Sequence, residues 1–315
     1  MYDIVYLFFS FILTYFFISL SIKNNFFSTL IDYPSKRKKH LNNVPAIGGI
    51  VFFSIICFFL IIINILDPSI IQIPNFNIVF FCSLAFFLLG LIDDIFRINV
   101  FLKLFSQIVI CLFSITMIDF IGQFSWPFLL NLGLNDYSIF VSFVFMLIVI
   151  NGINFLDGID GLLCILTIFM LCSFLILFEL NFIIIFMIFI GSLLAFLIFN
   201  KPPAKVFFGD SGSLLIGFIL VILFFNYFSI YAVSKKNVFP FIILALPIID
   251  FIYVVLIRFT APGNITKRFF SIFLADRKHI HYKILSLTNS SVKTLFYMSF
   301  YNFIILIYLL FENNG

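Results

Sequence analysis

Runs of Phe, Ile and Leu alternate with short polar segments along the whole chain, at roughly residues 3–22, 47–66, 77–92, 103–120, 138–153, 160–178, 182–199, 211–230, 238–258 and 294–311. A helix of about 20 apolar residues crosses the roughly 30 Å hydrocarbon core of a bilayer. Helices can do so because they satisfy their own backbone N–H and C=O groups where no water is present. The pattern predicts an all-α polytopic membrane protein with about ten transmembrane helices, a single domain over residues 1–315. The first run has no basic leader and no small-residue cleavage site, so it is expected to be a retained helix.

Ten spans with alternating connections put residues 23–46, 93–102, 154–159, 200–210 and 259–293 on one side. With the flanking helix ends, that side holds every Lys and Arg of the 18 in the chain except Lys235 and Lys236. The positive-inside rule makes it cytoplasmic and leaves both termini periplasmic or extracellular. The polar motifs fall on the same side, so an active site is expected on the cytoplasmic face. Its basic rim suits anionic lipid head groups and anionic substrates.

Composition agrees: 63% of residues are hydrophobic and 10% charged, which excludes an ordinary soluble domain. The five cysteines lie inside apolar runs with no CxxC spacing and read as buried thiols rather than disulfides or zinc ligands.

Against that background a carboxylate is expensive and points to function. Asp93 and Asp94 are adjacent at the end of the third run, in GLIDDIFRI, and would repel each other without a cation or basic partner. In NGINFLDGIDGL, Asn154, Asp157 and Asp160 are hard oxygen donors. Gly158 and Gly161 lie among them, as suits Mg²⁺ and a phosphate close to backbone. Gly209-Asp210-Ser211-Gly212-Ser213 opens a long apolar run, so Asp210 sits at a helix N-terminus, where amides favour anions. Ser211 alone would serve as an N-cap, which leaves the flanking pattern unexplained. There is no GxxxxGK[ST], so a P-loop NTPase is not supported. His279 and His281 alternate in a basic segment with Arg277. A zinc site would need further ligands and an i, i+4 pair, so phosphate binding is the better expectation. Arg37, Lys38 and His40 lie in the basic first connection.

In this order, DYPSKRKKH…VPAIGG (Asp32 to Gly49), Asp93-Asp94, NGINFLDGIDGL, GDSGS and DRKHIH resemble the polyprenyl-phosphate N-acetylhexosamine-1-phosphate transferases. These are the superfamily of MraY, WecA and TagO, also called glycosyltransferase family 4. DYPSKRKKH and DRKHIH look most like its WecA branch. The resemblance implies transfer of a sugar 1-phosphate, with N-acetylglucosamine as the expected sugar, from a UDP-N-acetyl sugar to undecaprenyl phosphate, with release of UMP. That step would initiate an envelope polysaccharide such as O-antigen in a bacterial inner membrane. It also implies Mg²⁺, with Mn²⁺ as the alternative, and membrane lipids as surroundings. No nucleic acid is expected, and a homodimer is allowed.

By the same resemblance Asp210 is the principal metal ligand with Asn154 beside it, and Asp93 and Asp94 are a catalytic carboxylate pair. Lys103 contacts phosphate, and His279 belongs to the catalytic group. Asp157 and Asp160 shape the nucleotide site, while Arg277, His281, Arg37, Lys38 and His40 bind substrate. One position departs: Tyr282 stands where the branch carries a further histidine, which bears on the choice of sugar. The alternatives are the MraY-type reaction on UDP-N-acetylmuramoyl-pentapeptide and an ion-coupled transporter. A transporter would want mid-span acidic residues in paired halves, and only Asp250 lies well within a span.

Overall fold

The computed structural model describes residues 2–24, 30–32, 44–67, 74–126, 133–178, 182–231, 238–260 and 278–314. Each apolar run becomes helical: α1 (Tyr2–Asn24), α2 (Gly48–Leu66), α3 (Phe76–Phe96) and α4 (Val100–Met117). A short α5 (Asp119–Gly122) follows, then α6 (Ser138–Leu156), α7 (Leu162–Leu177), α8 (Ile183–Asn200) and α9 (Gly209–Ile230). The chain closes with α10 (Phe239–Ile243), α11 (Ala245–Thr260), α12 (Ile280–Thr288) and α13 (Ser291–Asn314). Among the described residues, eight helices are long and apolar enough to span a bilayer, and α7 is a shorter apolar one. The protein is an all-α, multi-pass membrane protein.

The run at 238–258 divides into α10 and α11 at Leu244. Pro247 has no N–H for the Ile243 carbonyl. The ladder restarts with Leu244 N–H on the Pro240 carbonyl and Ile248 N–H on the Leu244 carbonyl, both at 3.3 Å.

The long helix α9 is the axis of the bundle. It is buried from Ser211 to Phe228 almost without interruption and packs on α3, α6 and α2. By contrast α1, α4 and α13 turn large side chains such as Phe8, Phe105 and Phe296 outward, toward lipid. Glycines set two of the closest crossings. A Cβ at Gly90 of α3 would collide with the backbone of Asp210, and one at Gly49 of α2 with the backbone of Gly212.

At the end of the bundle where α9 begins, a two-residue antiparallel pair, β1 (Ile31–Asp32) with β2 (Val44–Pro45), closes the α1–α2 connection. Its exit strand grips the approach to α9. Phe207 N–H donates to the Pro45 carbonyl at 2.9 Å, and the N–H groups of Gly48 and Gly49 donate to the carbonyls of Phe207 and Phe208 at 3.0 and 2.9 Å. At the other end Trp126, Phe124, Phe145, Phe224 and Phe241 form an aromatic cluster, and the Trp126 indole donates to Ser142 at 3.0 Å.

Gly90→Ala would press a methyl group onto the Asp210 backbone, which cannot swing aside. The expected cost is on the order of 1–3 kcal/mol, read as a lower thermal midpoint in detergent. An unchanged midpoint would show that α3 and α9 separate freely.

Candidate active site

The site forms where the last turns of α3 and α6 meet the first turns of α4 and α9. Asp94, in the last turn of α3, turns its carboxylate onto the start of α9. Its Oδ1 accepts the Asp210 N–H at 2.8 Å and its Oδ2 the Ser211 N–H at 3.0 Å. Helix N-terminal amides lack intrahelical acceptors and carry positive partial charge, so Asp94 caps α9 from a neighbouring helix. The plain alternative, Ser211 as a simple N-cap, does not hold: Ser211 lies inside α9, and Phe208 precedes the helix with no side-chain cap. Gly209 has φ +78°, and a Cβ there would stand 2.7 Å from Asp94 Oδ2. Both observations account for glycine before Asp210.

Asp93, the neighbour of Asp94, serves a different partner. Lys103 Nζ donates to Asp93 Oδ2 at 2.9 Å and to Asp210 Oδ2 at 2.7 Å. Lys103 lies in the first turn of α4, where a cation opposes the helix dipole, so the two carboxylates hold it there. Asn99 caps the same helix by accepting the Phe101 N–H at 3.0 Å. On the other side Asn154 Nδ2 donates to Asp210 Oδ1 at 2.6 Å and to Ser213 Oγ at 2.7 Å. One turn below, Asn151 Nδ2 donates to Gln107 Oε1 at 2.8 Å. That buried pair joins α6 to α4 beneath Asn154 and Lys103.

The loop between α6 and α7 is tied down at several points. Asp157 accepts the Gly209 N–H, and its carboxyl is held well above the usual carboxylate range, first by burial and then by the charges of Asp210 and Asp94. Asp160 accepts the Ala204 N–H at 3.0 Å. Asn200 accepts the Gly161 N–H at 3.0 Å and donates to the Val206 carbonyl at 2.8 Å. Tyr282 spends its hydroxyl proton on the Gly158 carbonyl, at 3.1 Å.

A second cluster lies beside that loop. His279 Nδ1 is 2.7 Å from Asp250 Oδ2, and the Ile280 N–H donates to Asp250 Oδ1 at 2.7 Å. The His279 ring lies against Phe155 at 4.7 Å and stacks with His281 at 5.4 Å. Burial holds the His281 imidazole down to about 4, with Asp250 pulling the other way. Sequence reasoning did not select Asp250. Its signal was a lone carboxylate inside an apolar helix, a placement that demands a partner.

Thus Asp93, Lys103, Asn154 and Asp210 converge directly, Asp94 and Asp157 brace the start of α9, and Asp160 braces the loop. His279 and His281 adjoin that loop. Arg37, Lys38, His40 and Arg277 lie outside the described residues.

Two donor sets could hold a cation. Asp250, His279 and His281 bring ligand atoms within 4.8 Å of one another, but two of the three are imidazoles, poor ligands for Mg²⁺. Asp210 fits a hard cation better. Its side chain is 34% exposed, against 12% for Asp93, and the Asn154 amide nitrogen is committed to Asp210 and Ser213, which leaves its carbonyl oxygen as a second hard donor.

The profile of glycosyl transferase family 4 matches residues 76–228, a stretch that contains Asp93, Asp94, Lys103, Asn154, Asp157, Asp160 and Asp210. An undecaprenyl-phosphate α-N-acetylglucosaminyl 1-phosphate transferase of Yersinia pestis is 28% identical over 268 residues, 81% of this chain and 69% of its own length. A relative of the same name from Salmonella typhi is 29% identical over 287 residues, 87% and 74% of the two chains. A Bacillus subtilis relative, named "Probable undecaprenyl-phosphate N-acetylglucosaminyl 1-phosphate transferase", is 26% identical over 81% of this chain and 70% of its own.

Asp157→Asn tests the electrostatics of the loop. An acid whose folded pKa is raised binds more protons folded than unfolded, so its penalty grows as pH rises through that window. The variant is expected to raise the thermal midpoint in detergent at about pH 8, with a gain that shrinks toward acid. A midpoint lowered throughout would mean that the ionised carboxylate holds the loop.

Proposed function

We propose that this chain, a member of glycosyl transferase family 4 by its ordered motifs and the family match, transfers N-acetylglucosamine 1-phosphate from UDP-N-acetylglucosamine to undecaprenyl phosphate and releases UMP. The reaction would run in a bacterial inner membrane as the first lipid-linked step of an envelope polysaccharide. The observation that carries the reading is the convergence of Lys103 and Asn154 on Asp210 at the N-terminus of a buried helix. The names of the relatives support the choice of sugar and lipid.

Two anions must meet here: the lipid phosphate as nucleophile and the diphosphate of the donor. A phosphomonoester has its second pKa near 6, so the nucleophile is largely ionised at neutral pH, and repulsion is the main barrier. Mg²⁺ held by Asp210 and Asn154 would supply neutralising charge to the diphosphate. With Asp210 given over to a cation, Lys103 would keep its bond to Asp93 and offer its ammonium to a phosphate oxygen. Asp94 fixes the first turn of α9, so Asp210 does not have to reorganise when charge shifts between phosphates. Asp157 and Asp160 hold the loop that faces the nucleotide. A covalent aspartyl phosphate would add a step without relieving the repulsion.

The test is UMP release from UDP-N-acetylglucosamine by membranes, with and without undecaprenyl phosphate and Mg²⁺. Asp210→Ala is expected to lower kcat on the order of 10²–10³-fold, the usual cost of removing an electrostatic stabiliser. Lys103→Ala should lose a similar factor and Lys103→Arg less. Lipid-independent release, or full activity in Asp210→Ala, would overturn the assignment.

A further inference from the structure

If undecaprenyl phosphate is the acceptor, the fraction carrying its last proton must lose it before attack, and both carboxylates of the Asp93-Asp94 pair already hold partners. Asp94 accepts two backbone N–H groups and Asp93 is paired with Lys103. The Asp250–His279 pair has a different geometry. Asp250 is fully buried and accepts on both oxygens, one from the Ile280 N–H and one from His279 Nδ1. An acceptor-only partner at Nδ1 selects the tautomer with its proton there. Nε2 lies across the ring from that contact and carries the lone pair. Contact with the tilted Phe155 ring and stacking with His281 fix the plane of the ring, and Phe155 adjoins Asn154 in the chain.

We propose that Asp250 is a positioning residue that holds His279 as the Nδ1–H tautomer, so that Nε2 accepts the residual proton of the phosphomonoester acceptor. In this step the phosphate O–H bond breaks, an Nε2–H bond forms, and the electron pair stays on the oxygen that then attacks the β-phosphorus. The buried Asp250 carboxylate offsets the charge the ring takes on. The proton afterwards passes to the released nucleoside monophosphate, itself a phosphomonoester. This inference rests on the transferase reading for its substrate, but the tautomer does not.

Nitrogen-15 labelling of histidine in the detergent-solubilised protein tests the tautomer. The chain has three histidines, and His279→Gln identifies the signal. The wild type is expected to show protonated Nδ1 and unprotonated Nε2 at His279 at about pH 8, and the opposite tautomer overturns the proposal whether or not the protein turns over UDP-N-acetylglucosamine. Asp250→Asn keeps the acceptor for Ile280 and puts a donor against Nδ1. It should lower kcat on the order of 10²-fold, the scale of general base catalysis, with the KM for the UDP-sugar changed less than about threefold. The same substitution in a His279→Gln background should cost nothing more. Wild-type turnover in Asp250→Asn, or losses that multiply in the double variant, would sink the proposal. If Asp250→Asn fails to fold, the wild-type spectrum still decides.

Discussion

One carboxylate, Asp94, substitutes for the missing turn at the start of the most buried of the described membrane-spanning helices. Helix α9 begins at the polar end of the bundle and runs through its centre, and its first amides would face a low-dielectric interior without acceptors. Asp94 takes two of them, and from that clamp the neighbouring positions follow. Gly209 must be glycine to let the carboxylate in, Gly90 must be glycine to let α3 approach, and Asp210 is held with its side chain toward α4 and α6.

The charge balance around this clamp is unfinished. Asp93 and Asp210 share the ammonium of Lys103, while Asp157 stands close enough for Asp210 and Asp94 to raise its carboxyl. A low-dielectric pocket does not tolerate surplus negative charge without a partner. Under the proposed reaction a hard cation and a diphosphate would bring such partners in, and the site would be completed by what it binds.

Much of this was legible in the sequence. Ten apolar runs became helices, and the polar motifs do meet at one end of the bundle. Gly-Asp-Ser-Gly at a helix start, Asn154 and Lys103 were read as parts of one site, and the structure brings them together. Two things were not legible. The resemblance gave Asp93 and Asp94 only as a pair; that they bond to different neighbours follows from successive helix residues pointing about 100° apart. Asp250 looked like a stray charge because its partner lies 29 residues away and no local period links the two. Pro247 could have announced the break between α10 and α11, but hydropathy averages over it.

Helices α6 and α11 run side by side in the same direction: Gly152 lies against Pro247, and Phe155 stacks on Phe251. Yet α6 stops at Leu156 while α11 continues to Thr260. The overhang is roughly 8 residues, or about 12 Å of helix. The polar cluster, with His279 against Asp250, is therefore at the foot of a ledge. The last two turns of α11 bound the polar cluster on that side, a barrier set by nothing more than the unequal lengths of two helices.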